Sequence, residues 1–180
     1  MRVLMIIPAY NEEESIFDTV TSILSYRKKV DFDLDYVVIN DGSTDKTKQI
    51  LEDNHFNAVN LVMNLGIGGA VQTGYKYALE HDYDVAVQFD GDGQHDIESL
   101  SDLLEPIRKN EADLVIGSRF VGDVKSEFQT TFMRRFRISV ISNLIKWTTG
   151  QRVLDTTSGY RLADKAVIKQ FAKRYPIKYP

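Results

Sequence analysis

Two carboxylates stand one residue apart in the segment Asp90-Gly91-Asp92-Gly93-Gln94-His95-Asp96. Residues 84–89 before it are mostly apolar and rich in strand formers, so the segment is predicted to follow the end of a strand. The two glycines allow a sharp bend and the close approach of a bulky ligand. Carboxylate oxygens suit Mg²⁺ or Mn²⁺ held together with ligand phosphates. The spacing indicates a divalent-metal site, and a solvated Asp-Gly turn is the plain structural alternative.

Two other kinds of aspartate-rich site can be compared with this segment position by position. A calcium-binding EF-hand loop starting at Asp90 would need Gly at its sixth position and Glu at its twelfth. Those positions hold His95 and Ser101, which excludes an EF-hand. A phosphatase of the haloacid dehalogenase type would read Asp-x-Asp-Gly-Thr. Because Gln94 stands where Thr belongs, that class remains only a weak alternative.

Composition limits the classes of function. The chain has 180 residues, of which 43% are hydrophobic and 27% charged, and we expect one domain over residues 1–180. A net charge of -4 argues against nucleic acid as a partner. There is no cysteine, no signal-peptide pattern and no apolar run near the ~18 residues of a membrane span. These features favour a cytoplasmic location.

Strand and helix patterns alternate along the chain, which predicts an α/β fold with a mostly parallel central sheet and helices on both faces. Strands are predicted at 3–7, 36–39, 58–62, 84–89 and 114–116. The turns that follow them begin at Pro8, Asp41, Asn64, Asp90 and Gly117. Ligands of open α/β sheets bind at the carboxyl edge of the strands, so we expect one site there. The residue types favour a nucleotide phosphate held through a metal.

The turn after the first strand excludes one common nucleotide-binding class. Asn11 is predicted to cap a helix whose first turn carries Glu12, Glu13 and Glu14. A dinucleotide-binding fold needs a Gly-rich turn here, and three glutamates would repel a pyrophosphate. A nicotinamide oxidoreductase is therefore not expected. Ser43 or Thr44 is predicted to cap the second helix, with Asp45 only favouring its N-terminus.

Six motifs, taken in order, resemble those of family 2 glycosyltransferases with the GT-A fold. They are Pro8-Ala9-Tyr10-Asn11-Glu12, Asn40-Asp41-Gly42-Ser43-Thr44-Asp45, Asn64-Leu65-Gly66-Ile67-Gly68-Gly69-Ala70, Asp90-Gly91-Asp92-Gly93-Gln94-His95, Gly117-Ser118-Arg119-Phe120 and Thr157-Ser158-Gly159-Tyr160-Arg161. One such motif is a weak signal, but six in register are specific. Within the family the chain looks most like the branch of dolichol-phosphate mannose synthases and polyprenyl-phosphate glycosyltransferases.

The resemblance implies a Rossmann-like GT-A catalytic domain that uses Mg²⁺ or Mn²⁺. It would transfer a sugar, with inversion, from a UDP- or GDP-type donor to a polyprenyl phosphate (dolichyl or undecaprenyl) or related lipid-linked acceptor. The residues implied at the nucleotide sugar are Pro8, Ala9, Tyr10, Glu12, Asp41, Asn64, Gly69, Asp90, Gly91 and Asp92. The implied metal ligands are Asp90, Asp92 and Gln94. The implied catalytic residues are Asp92, Asp155 and Arg119. The implied acceptor-phosphate residues are Arg119, Arg134 and Arg135, with Arg137 as a further candidate.

A helical pattern over residues 132–147 carries an apolar stripe, a tryptophan and the basic cluster Arg134-Arg135-Phe136-Arg137. These features resemble a helix lying at a membrane surface, which places the protein at the cytoplasmic face of a membrane. A core-packed helix with a solvated basic end is the plain structural alternative.

The chain departs from the family pattern at two places. Asn40 replaces the first aspartate of the usual Asp-Asp-Gly-Ser turn, which leaves the role of position 40 open. Family members usually continue past a Tyr-Pro segment like the one ending at Pro180, so a C-terminal truncation that removes membrane helices is an expectation.

Three other functions are weighed against this one. They are a transferase that joins sugar to sugar in cell-wall or surface polysaccharide, the phosphatase, and a catalytically silent nucleotide-sugar-binding domain.

Overall fold

A computed structural model describes residues 1–90, 97–117 and 160–175. Its strands are β1 Arg2–Ala9, β2 Asp33–Asn40, β3 Ala58–Asn60, β4 Val85–Gln88, β5 Leu114–Ile116 and β6 Arg161–Asp164. Its helices are α1 Ile16–Arg27, α2 Thr47–Asp53, α3 Gly66–Glu80, α4 Leu100–Arg108 and α5 Lys165–Lys173, with a 3₁₀ turn at Ile97–Ser99. Within these described ranges, no helix combines the length and apolar character needed to cross a bilayer.

The described strands form one sheet in the order β3-β2-β1-β4-β6-β5. The strands β1, β2, β3 and β4 are parallel neighbours, whereas β6 runs antiparallel to both β4 and β5. This confirms the predicted α/β fold with a mostly parallel sheet, and all five predicted strands are present. The strand β6 was not predicted, because its residues, Arg-Leu-Ala-Asp, place only two apolar residues between two charged ones and do not form an apolar run.

Helices cover both faces of the sheet. On one face α1, α2 and α4 pack against a core that includes Val3, Met5 and Ile7. On the other, α3 and α5 pack against Leu4 and Ile6. Because β1 is covered on both sides, its sequence is apolar without alternation.

The helix α3 approaches β1 very closely at Gly74. A Cβ atom at Gly74 would overlap the side chain of Ile6. The absence of a side chain there lets the helix lie directly on the strand.

The first two helices begin later than the capping pattern predicted. The helix α1 begins at Ile16 rather than after Asn11, whose φ of 57° places it in the left-handed region. The helix α2 begins at Thr47, beyond Ser43 and Thr44. Both caps were predicted wrongly because these side chains bond across loops rather than along their own helices. A better cap lies at α5, where Asp164 Oδ1 accepts from the Val167 N–H at 2.8 Å.

A small charged cluster joins three elements at the amino edge of the sheet. The Arg2 N–H donates to Asp84 Oδ2 at 2.7 Å, and Lys165 Nζ lies 3.1 Å from both Asp84 Oδ1 and Asp82 Oδ1. The Arg2 guanidinium also lies 4.4 Å from the centre of the Tyr83 ring. The hydrogen bond from Arg2, together with Lys165, holds the pKa of Asp84 below its ordinary value. The start of β1, the start of β4 and the start of α5 are thereby tied together.

We expect Asp84→Asn to destabilise the protein at neutral pH but not at low pH. Because the folded-state pKa is lowered, Asp84 contributes stability above its unfolded-state pKa of about 4, and this is lost as the pH falls through the folded pKa. The side chain is 39% exposed, so screening limits the effect to about 0.5–1 kcal/mol. The measurement is urea unfolding from pH 7 to pH 2, with the exposed Asp53→Asn as control. A difference from the parent that does not shrink on acidification would contradict the assignment.

Candidate functional site

Hydrogen bonds interlock the loops that follow β1 and β2. The Asn11 N–H donates to Ser43 Oγ at 3.0 Å, and Asn11 Oδ1 accepts from the Thr44 N–H at 2.8 Å. The Glu12 N–H donates to the Thr47 hydroxyl at 2.8 Å. The left-handed backbone of Asn11, a conformation that asparagine tolerates, points these groups at the second loop. The two loops therefore form one rigid unit at the carboxyl edge of the sheet.

Acidic side chains continue this interlock instead of standing free in solvent. Asp45 Oδ2 accepts from the Glu13 N–H at 3.1 Å and Asp45 Oδ1 from the Thr47 N–H at 2.9 Å. Burial opposes the ionisation of Asp45, but these hydrogen bonds outweigh it and leave the pKa of Asp45 below its ordinary value. Glu13 Oε2 accepts in return from the Lys46 N–H at 2.9 Å. Asp45 thus joins two loops, which is more than the helix-terminal role predicted for it.

Asp41 lies at the centre of the predicted nucleoside pocket and is 3% exposed. Its N–H donates to Ala9 O at 2.8 Å, and its Oδ1 accepts from the Leu65 N–H at 2.7 Å. Its second carboxylate oxygen has no hydrogen-bond partner among the described residues. The carboxylate therefore orders the loop before α3 with one oxygen and keeps the other available.

Gly42 brings the loop after β2 against the loop before α3. Its φ is 69°, and a Cβ atom there would lie 2.8 Å from Asn64 N and 2.9 Å from Met63 C. Both the backbone conformation and the space require glycine. Gly69 has a comparable structural role, because a Cβ there would overlap Leu65. Asn64 Oδ1 accepts from the Gly66 N–H at 3.0 Å, so Asn64 helps to order the start of α3.

Asn40, the residue that departs from the family pattern, is 2% exposed. Its side-chain amide forms hydrogen bonds through both its nitrogen and its oxygen. Its Nδ2 donates to Asn60 Oδ1 at 2.7 Å, and its Oδ1 accepts from the Ser43 N–H at 3.2 Å. These contacts fasten the end of β2 to the end of β3 and to the following turn. Position 40 therefore has a structural role.

The remaining described candidates lie along the same edge. Pro8 is half-buried, Ala9 is buried, and Tyr10 is 48% exposed at the end of β1. Glu12 is partly buried and accepts from the Ser15 hydroxyl at 2.6 Å. Asp90 is partly buried two residues beyond the end of β4. Because β1 lies between β2 and β4, Asp41 and Asp90 flank it, roughly 10 Å apart across two strand spacings.

Several predicted site residues lie outside the described residues. They are Gly91, Asp92, Gln94, Arg119, Arg134, Arg135, Arg137 and Asp155, and the predicted helix over 132–147 lies there too. Among the described residues no group of three or more acidic or histidine side chains could hold a metal. Asp90 is the one predicted metal ligand in the described part, and its carboxylate oxygens are the hard donors that Mg²⁺ and Mn²⁺ prefer.

Arg161 was quoted in the sixth motif without a role of its own. In the sheet it stands opposite Gln88, and Ala163 two residues on belongs to the core against α3. By strand alternation the side chains of Arg161 and Gln88 share that face, and Asp90 follows two residues after Gln88, beyond the end of β4. Diagonal neighbours on a sheet face have Cβ atoms about 7–8 Å apart, which is within reach of an arginine. The sequence signal that could have identified Arg161 is a positively charged residue in a short segment between acidic loops.

Comparison with known proteins gives a consistent family. The family model described as Glycosyl transferase family 2 matches residues 5–174. The chain is 32% identical to a UDP-N-acetylglucosamine–dolichyl-phosphate N-acetylglucosaminyltransferase of Methanococcus voltae, over 96% of this chain and 75% of that protein. It is 39% identical to an undecaprenyl-phosphate mannosyltransferase of Micrococcus luteus, over 89% of this chain and 65% of that protein. The chain thus spans about two thirds to three quarters of the length of these relatives.

Solved structures share the fold. Glucosyl-3-phosphoglycerate synthase of Mycobacterium tuberculosis, in complex with Mn²⁺, UDP-glucose and phosphoglyceric acid, superposes with a TM-score of 0.64 at 21% identity. The match covers 92% of this chain and 57% of that chain. TarS of S. aureus in complex with UDP gives 0.62 at 24% identity, over 98% of this chain and 51% of that chain. These matches confirm the predicted GT-A fold.

The hydrogen bond between Asp41 Oδ1 and the Leu65 N–H predicts that two substitutions of Asp41 differ in stability. Asp41→Ala removes the hydrogen bond that the Leu65 N–H donates to a charged carboxylate, which should cost about 1.5–3 kcal/mol of unfolding free energy. Asp41→Asn keeps an acceptor oxygen of the same reach and should cost clearly less. Urea unfolding at pH 7 measures both variants against the parent. Equal stability of the two variants would show that the bond to Leu65 does not hold the loop.

Proposed function

The chain belongs to glycosyl transferase family 2, and on this premise we propose that it transfers a sugar from a nucleoside diphosphate to a polyprenyl phosphate with inversion at the sugar. The observation that carries the proposal is the second carboxylate oxygen of Asp41, which has no hydrogen-bond partner among the described residues. It lies on the same sheet edge as Asp90. One oxygen of Asp41 is open to a nucleoside N–H, and Asp90 can bind the diphosphate through a divalent metal ion. The relatives whose names include dolichyl or undecaprenyl phosphate support the choice of acceptor.

The nucleoside binds beside Asp41 and Tyr10. The second oxygen of Asp41 accepts a hydrogen bond from a base N–H, which both uracil and guanine offer. Because Asp41 is almost fully buried, a base that offers no donor to this oxygen would leave it unpaired at a cost of about 1–3 kcal/mol. The exposed ring of Tyr10 offers an apolar surface beside it, and Pro8, Ala9, Glu12, Asn64 and Gly69 complete the pocket.

The diphosphate binds near Asp90, on the strand next to β1. Asp90, Asp92 and Gln94 would hold Mg²⁺ or Mn²⁺, because all three offer the oxygen ligands these ions take. The ion would supply positive charge to the leaving diphosphate, where negative charge grows during transfer. Arg161 stands opposite Gln88, which lies two residues before Asp90, and supplies a second positive charge nearby.

The acceptor phosphate needs positioning more than activation. A phosphate oxygen is already anionic at neutral pH and can attack the anomeric carbon as the bond to the diphosphate breaks. Arg119, Arg134 and Arg135 would hold that phosphate. A hydroxyl acceptor would instead lose a proton on attack, and Asp155 would then act as the general base. With a polyprenyl acceptor, the domain works at the cytoplasmic face of a membrane.

A donor and acceptor screen with Asp92→Asn tests this function. The parent is incubated with Mn²⁺ or Mg²⁺ and UDP- or GDP-sugars, with and without polyprenyl phosphate, and release of nucleoside diphosphate is measured. We expect acceptor-dependent release, and a rate about 10²–10³ lower in Asp92→Asn because charge stabilisation at the diphosphate is lost. Asp18→Asn, at an exposed position on α1, is the control. No acceptor-dependent release by the parent, or unchanged release by Asp92→Asn, would refute the proposal.

A double substitution tests the acceptor end. We expect Arg134→Ala with Arg135→Ala to bind the donor as the parent does, but to lose affinity for anionic vesicles and transfer to polyprenyl phosphate. Each surface cation contributes ~1 kcal/mol at an anionic membrane, so the vesicle affinity should fall roughly 30-fold. Vesicle co-sedimentation and transfer to a short polyprenyl phosphate are the measurements. The control is Lys28→Ala with Lys29→Ala, which removes two exposed cations elsewhere. Equal losses of vesicle affinity and transfer in the two double variants would show that Arg134 and Arg135 belong to an ordinary charged surface.

A further inference from the structure

Gln88 is a buried amide on the strand that leads to Asp90. The other residues of β4 are apolar, and Gln88 is only 4% exposed. It is the last residue of β4 and lies two residues before Asp90. A polar side chain at such a position requires a partner, because an unpaired buried amide is destabilising.

The partner of Gln88 comes from the far end of the described chain. The hydroxyl of Tyr175 donates to Gln88 Oε1 at 3.3 Å, across 87 residues of sequence. Tyr175 is 7% exposed and lies two residues past the end of α5. This is the only hydrogen bond of the Gln88 side chain among the described residues. The strand that supplies Asp90 is therefore fastened, by one side-chain bond, to the segment that follows α5.

Aromatic packing fixes the ring of Tyr175. Its centre lies 5.7 Å from the ring centre of Tyr75 and 5.2 Å from that of Phe171, and those two rings are 5.1 Å apart. Tyr75 is on α3 and Phe171 is on α5. Gln72 Nε2 on α3 also donates to Ala172 O on α5 at 3.3 Å. The three rings join α3, whose first turn borders Asp41, to the segment that holds Gln88.

We propose that Tyr175 and Gln88 are positioning residues that hold Asp90 in place for a divalent metal and the donor diphosphate. The inference rests on the function proposed above. Regular pairing of β4 ends at Gln88, and the Phe89 N–H donates to Ile6 O at 2.9 Å. Asp90 is the next residue after Phe89. The hydrogen bond from Tyr175 to Gln88 therefore holds the chain two residues before the carboxylate that would bind the metal. Metal ligands need their supporting contacts fixed to within about 0.5 Å.

If Tyr175 only stabilised the fold, its hydroxyl would have no specific effect on metal binding. The matched control for this case is Tyr83. Tyr83 is 6% exposed, and its hydroxyl donates to Asp35 Oδ2 at 3.0 Å at the amino edge of the sheet, away from Asp90. Burial, and then the bond to Asp35, raises the pKa of Tyr83 to about 12, so the hydroxyl remains a donor at neutral pH. Tyr83→Phe and Tyr175→Phe each delete a hydrogen bond donated by a buried tyrosine. Only the second deletion lies behind Asp90.

The experiment measures nucleotide binding by calorimetry, with and without Mn²⁺, for the parent, Tyr83→Phe and Tyr175→Phe. The nucleotide is UDP or GDP, whichever the parent binds, and free Mn²⁺ is followed in parallel by electron paramagnetic resonance. We expect Tyr175→Phe to bind the nucleotide in the presence of Mn²⁺ about tenfold more weakly, with metal-free binding unchanged because Asp41 is not disturbed. Tyr83→Phe should match the parent in both measurements, while the two variants lose comparable thermal stability.

Gln88→Leu and the double variant with Tyr175→Phe complete a cycle. If the one bond carries the effect, the double variant should bind Mn²⁺ no more weakly than Gln88→Leu alone. Parent-like Mn²⁺ affinity in Tyr175→Phe would overturn the inference and leave the proposed function standing. An equal loss of metal-free binding would also overturn it, because the effect would then be general. A parent that binds neither nucleotide with Mn²⁺ would remove both the proposed function and this inference.

Discussion

The carboxylate of Asp41 is the contact on which the site depends. Its N–H is bonded to the end of β1, one of its oxygens orders the loop before α3, and Gly42 beside it lets that loop come within van der Waals distance. One residue therefore fixes the relative positions of three loops. The cost of burying its charge is offset in part by the hydrogen bond from the Leu65 N–H. The same burial makes its second oxygen selective for ligands that offer a hydrogen-bond donor at this position.

Around Asp41 the acidic character of the carboxyl edge is largely structural. The carboxylates of Glu12, Glu13 and Asp45 accept hydrogen bonds from a hydroxyl and from backbone N–H groups of their own and the neighbouring loop. These bonds order an edge of the sheet where backbone N–H groups would otherwise depend on water. A positively charged partner is consequently needed only near Asp90, where we place the metal ion and where Arg161 lies across the sheet.

The sequence was sufficient for the fold class and the family, and insufficient for the contacts that build the site. Buried parallel strands are continuous apolar runs, so five strands were located from local pattern alone, and six motifs in order identified the family. Asn11 was assigned to a helix cap because capping is a local rule, whereas its bonds go to a loop 32 or more residues away. Asn40 and Gln88 were given no role for the same reason. Their partners, Asn60 and Tyr175, are set by which strands and helices become neighbours.

The antiparallel strand β6 has a consequence for the order in which the protein can fold. It inserts between β4 and β5, and it is supplied by residues 161–164, late in the chain. A ribosome that has released residues 1–90 has delivered β1 to β4, which can pair at once. Among the described strands, the outer edge of β4 then remains an open strand edge, and β5 lacks its partner β6, until about 70 further residues have emerged. Such an edge can recruit a strand from another chain. The nascent protein is therefore exposed to aggregation after β1 to β4 have paired and before β6 arrives.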